Sequence, residues 1–70
     1  MKQYKRIVQY MPVGNLEPMQ TTESIITLED VIKIKGFAEA DPHGCIKYCR
    51  DHLFVKYNGH GCYRNYITVM

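Results

Sequence analysis

A chain of 70 residues with a formal charge of +2 has room for one domain, residues 1–70, and one modest core. A domain this small buries only roughly 60% of the surface its unfolded chain exposes, which leaves little material for a walled catalytic pocket, so an enzyme is not expected. Its 46% apolar and 23% charged residues argue for a folded protein, and no apolar run is long enough to span a bilayer.

The charge is unevenly placed. Residues 1–14 hold Lys2, Lys5 and Arg6 with no acid, and residues 15–30 hold Glu17, Glu23, Glu29 and Asp30 with no base. From Lys47 onward, Lys47, Arg50, Lys56 and Arg64 face Asp51 alone. No signal-type apolar stretch follows the basic start, and three cysteines cannot all pair, so a reduced, cytoplasmic protein is expected.

Along the chain, Tyr4 to Val13 is rich in β-branched and aromatic residues and reads as a strand. Gly14 to Thr22 reads as a loop. Thr27 is placed to cap a short helix over about 28–35, with Asp30 at N3, acids in the first turn, Lys33 and Lys35 in the last and Gly36 at C′. The β-branched Val31, Ile32 and Ile34 make a strand the competing reading there.

Asp41-Pro42 predicts a second helix start. Cys45, Ile46, Cys49, His52 and Leu53 would then share one helical face, opposite Lys47, Arg50 and Asp51, with Gly44 as a weakness. Leu53 to Tyr57, the Asn58-Gly59 turn and Cys62 to Met70 predict a hairpin. In that hairpin Phe54, Tyr63, Ile67 and Val69 are expected on one face, and Val55, Tyr57, Cys62 and Tyr66 on the other. The expected fold is α+β: an antiparallel sheet of the N-terminal strand and the C-terminal hairpin, packed against one or two short helices.

Every cysteine and histidine falls between His43 and Cys62. Cys45, Cys49, His52 and Cys62 could bind structural zinc, but their spacing matches no common zinc module. Cysteines at core positions of an amphipathic helix explain the same residues, and no cofactor is expected. Cys49 with His52 lacks an evident acid to orient the imidazole, which weakens a nucleophilic reading.

Six tyrosines, several beside bases, are the other feature. Tyr57, Tyr63, Arg64, Tyr66 and Lys56 are the expected partner-binding residues, because tyrosine and arginine give large amphipathic contact at low entropic cost. The function expected is that of a small stand-alone binding protein. It would be a regulator or inhibitor of the phage or mobile-element kind, sterically blocking a larger protein or nucleoprotein complex. The alternatives are a small nucleic-acid-binding protein using the same Tyr/Arg/Lys face, and the zinc module.

Overall fold

A computed structural model describes residues 2–12 and 20–70. Five strands and one helix follow in the order β1 (Tyr4–Pro12), β2 (Gln20–Ile26), α1 (Leu28–Ala40), β3 (Cys45–Tyr48), β4 (Leu53–Asn58) and β5 (Gly61–Val69). The strands form one antiparallel sheet in the order β2-β1-β5-β4-β3. The α+β expectation holds in its coarse form, and β1 does join the C-terminal hairpin. The sheet is wider than expected and the helix count lower.

Strand β2 ends at Ile26 and α1 begins at Leu28, so Thr27 alone makes the turn. It does so with a complete capping box. Its hydroxyl accepts from the Asp30 N–H at 3.4 Å, and the Asp30 carboxylate accepts from the Thr27 N–H at 3.2 Å. The helix then runs to Ala40, past the expected stop. Gly36 is an interior residue with open space around it, and the last turn holds no base.

What stops α1 is Asp41-Pro42, the dipeptide expected to start a second helix. Proline drives the residue before it into extended backbone, and Asp41 sits at φ −89°, ψ 124°. No helix follows. The chain doubles back so tightly that a Cβ on Gly44 would lie 2.0 Å from the Ala38 carbonyl oxygen. Cys45–Tyr48 then pairs with β4 as an edge strand. Ladder pairing outweighs the helical phasing of this segment, so its cysteines do not form an inward stripe. Cys45 and Cys62 are half-buried and Cys49 is exposed.

Two further expectations change. Residues 20–22, expected in a loop, belong to β2, while 14–19 lie outside the described residues. The β4–β5 hairpin closes one residue later than a two-residue Asn58-Gly59 turn would. Asn58 pairs with Cys62, and the Gly59 N–H donates to the Gly61 carbonyl at 3.0 Å. A Cβ on Gly61 would meet the Met11 carbonyl at 2.5 Å, so glycine is required where β5 starts against β1. This register reverses the parity of β4 relative to β5. Phe54 lies opposite Tyr66 and Tyr57 opposite Tyr63, so the expected face partners are exchanged.

The sheet therefore has two unlike faces. On the inner one, Val31, Ile34 and Ala38 of α1 pack with Ile26, Val55 and Ile67, and with the partly buried Tyr4, Ile46, Leu53 and Tyr57. The helix lies over β3 and β4. Asn65 is fully buried beside this core; its Oδ1 accepts from Arg6 Nε at 2.6 Å and its Nδ2 donates to the Val55 carbonyl at 3.2 Å. The outer face carries no helix among the described residues.

Candidate interaction surface

Antiparallel register builds the outer face row by row, because directly opposed residues share a face. One row crosses the sheet as Lys47, Phe54, Tyr66, Ile7 and Glu23. The next is Cys45, Lys56, Arg64, Gln9 and Thr21. Beyond it stand Cys62 and Met11 as neighbours. The centre of the face is thus a Phe54–Tyr66 pair beside a Lys56–Arg64 pair.

The aromatic pair is in contact, with ring centroids 5.2 Å apart and planes tilted by 55°. His52 extends it, its ring 5.8 Å from that of Tyr66. Asp51 Oδ1 lies 2.8 Å from His52 Nδ1, and this contact holds the Asp51 carboxyl below its ordinary range. Phe54 and Tyr66 are each half-buried.

The basic pair is unusual in its placement. Lys56 and Arg64 are directly opposed on adjacent strands, where like charges destabilise a sheet by a few tenths to about 1 kcal/mol. Among the described residues neither forms a salt bridge; the acid on this face, Glu23, is engaged by Lys5 at 3.2 Å. With Lys5 and Lys47, the strand positions of this face carry four bases against that one carboxylate among the described residues, Asp51 of the β3–β4 turn being engaged with His52. It is a basic, aromatic surface centred on β4 and β5.

Of the expected partner-binding residues, Lys56, Arg64 and Tyr66 come together here. Tyr57 and Tyr63 do not. They lie on the inner face, stacked on each other with centroids 5.0 Å apart and planes at 17°. Burial, then the neighbouring Tyr10, pushes the Tyr63 hydroxyl above its ordinary pKa. Phe54, Lys47, Ile7 and Met11 are surface members that the sequence reading missed. A three-residue closure of the hairpin, Gly59-His60-Gly61, was the signal that would have found Phe54.

The histidine and cysteine residues are dispersed. Cys45 and Cys62 stand on different rows of the outer face, and Cys49 and His52 belong to the β3–β4 turn, where the Cys49 N–H donates to the His52 carbonyl at 2.9 Å. Among the described residues no three His, Cys, Asp or Glu side chains are grouped as metal ligands. The proposed zinc set Cys45, Cys49, His52 and Cys62 depended on a helix that is not formed. Among the same residues, no helix is long and apolar enough to cross a membrane.

No protein-family model matches this chain, and no curated protein or solved structure shows significant similarity to it. Its function has to be read from this geometry.

Proposed function

We propose that this chain is a small binding module that regulates a larger protein by covering an acidic surface of it with the outer sheet face. The observation that carries the reading is the opposed Lys56–Arg64 pair beside the Phe54–Tyr66 pair. A like-charge pair is a cost to the free sheet, and carboxylates on a partner would relieve it. The rings beside it supply apolar contact at low entropic cost, as interface anchors do.

Size supports the same reading. Five strands of four to nine residues, spaced about 4.8 Å apart, give a face of roughly 550 Å2, the area one partner contributes to the smaller, transient class of interface. The mechanism is occupancy rather than turnover: a rigid sheet blocks what the partner would otherwise bind. In this reading no cofactor takes part.

A nucleic-acid partner is the second reading, because aromatic rings flanked by bases also hold single strands. The tilt of Phe54 against Tyr66 favours protein, since the two rings do not lie flat as successive stacking platforms. The test is affinity purification from the source cells with wild type and with Arg64→Glu/Tyr66→Ala. A protein recovered by wild type and lost by the double variant is expected. An unchanged set of partners would sink the docking face. Tight oligonucleotide binding that falls steeply with salt would replace the protein partner with a nucleic acid.

A further inference from the structure

The inner face of the sheet holds a charge that the docking face does not use. The helix lies over β3 and β4, so the inner positions of β1 and β2 form a shelf beside it. By register these positions are Arg6, Val8 and Tyr10 on β1, with Ser24, Thr22 and Gln20 opposite them. The three β2 residues are exposed. Toward the end of α1 the shelf is bounded by the rings of Tyr10, Tyr63, Tyr57 and Phe37, packed one against the next with centroids 4.5, 5.0 and 5.6 Å apart.

Arg6 is the charged residue of this shelf, and its side chain is fixed. Its Nε donates to Oδ1 of the fully buried Asn65 at 2.6 Å, and Asn65 is itself tied to the Val55 carbonyl. Asn65 pairs with Val8, so the Arg6 side chain crosses diagonally to β5. Its charge reaches the Tyr63 hydroxyl, where it opposes the rise in pKa that burial and Tyr10 cause. With Nε taken, the two Nη groups remain as a planar fork of N–H donors.

Nothing described answers that fork. Among the described residues no carboxylate forms an ion pair with Arg6, and no strand position on the inner face is an acid. On α1, Asp30 is engaged by the Thr27 N–H and hydroxyl at 3.2 Å, and Glu29 and Glu39 are exposed. A neutral donor would satisfy Asn65 as well, without the cost of half-burying a charge that has no counter-ion.

We propose that the Arg6 guanidinium is a binding site for a carboxylate, taken end-on by both Nη groups on the shelf beside β2. A carboxylate matches the fork in plane and in charge, with two parallel N–H···O bonds and one negative charge against one positive. A phosphate dianion would be left half compensated, since no second base stands at an inner strand position. The carboxylate is carried either by a free small molecule or by an acidic side chain of a partner. The site lies on the opposite face from the docking surface and stands or falls separately from it.

The experiment is an NMR titration of the chain, followed at the Arg6 Nε–Hε signal and at the amides of Val8 and Ser24. The titrants are sodium acetate, sodium chloride at equal ionic strength, and a short end-blocked peptide containing one glutamate. Saturable shifts are expected at about 10–100 mM acetate, with chloride about tenfold weaker. Arg6→Lys keeps the charge but loses the fork, and should weaken acetate by about tenfold at the two amides. Lys56→Glu, on the outer face, should leave acetate binding unchanged. Tighter binding of the peptide than of acetate would identify the source as a partner's side chain, and the reverse a free carboxylate. Equal responses to acetate and chloride would reduce the site to a bare charge and overturn the proposal. So would acetate binding that survives Arg6→Lys or is lost in Lys56→Glu, or the absence of saturable shifts with both carboxylates.

Discussion

Asn65 is the polar residue on which the centre of the sheet depends. It is fully buried, yet it orders the Arg6 side chain and satisfies the Val55 carbonyl. Asn65→Ala leaves a buried acceptor without its donor, and should cost about 1–3 kcal/mol in urea unfolding. A loss near zero would mean that neither bond contributes. Asp41 gives the chain an acid sensitivity of known sign. Its folded pKa is lowered by the Asn58 and His43 N–H groups, so its contribution is present above the ordinary carboxylate value of 3.8. That contribution is lost as the pH falls from there through the lower folded value. Urea midpoints taken across acid pH should therefore drop less steeply for Asp41→Asn than for wild type. Parallel curves would remove Asp41 from the account.

At the scale of elements, α1 offers two tests of opposite sign. Thr27→Ala removes the capping box and should destabilise the fold by about 1 kcal/mol. Gly36→Ala adds a methyl where nothing stands within 4 Å, and should stabilise by about 0.5–1 kcal/mol through the helix propensity and the unfolded chain. If Gly36→Ala destabilised, the helix would not run through that position. These elements also show what local sequence does and does not encode. The Thr27 cap, β1 and the existence of the β4–β5 hairpin were legible because capping, β-branching and glycine-rich turns act over a few residues, although the closure is Gly59-His60-Gly61 and not Asn58-Gly59. The edge strand β3 was not, because its helical spacing is local while the β4 ladder that recruits it is tertiary. Likewise, the predicted site came out half on each face. A single residue in the hairpin closure inverts the parity of β4 against β5, and periodicity alone does not report which closure forms.

Among the described residues the molecule is a sheet with one face lined by a helix and one without a helix. The helix covers β3 and β4 on the inner side, leaving an aromatic groove beyond its end, while the outer side presents bases and rings over β3, β4 and β5. The sharpest consequence lies in the opposed Lys56 and Arg64. A surface arranged for stability would place opposite charges there; one arranged for an acidic partner would not. Lys56→Glu converts the pair into a cross-strand attraction worth about 0.2–1 kcal/mol, at the expense of the positive field. Stability and binding should therefore move in opposite directions. The decisive measurement is the unfolding midpoint of Lys56→Glu, taken together with its recovery of the partner captured by wild type. A midpoint equal to or above wild type with the partner lost is the result predicted. Full retention of the partner by a folded Lys56→Glu protein would contradict the docking face.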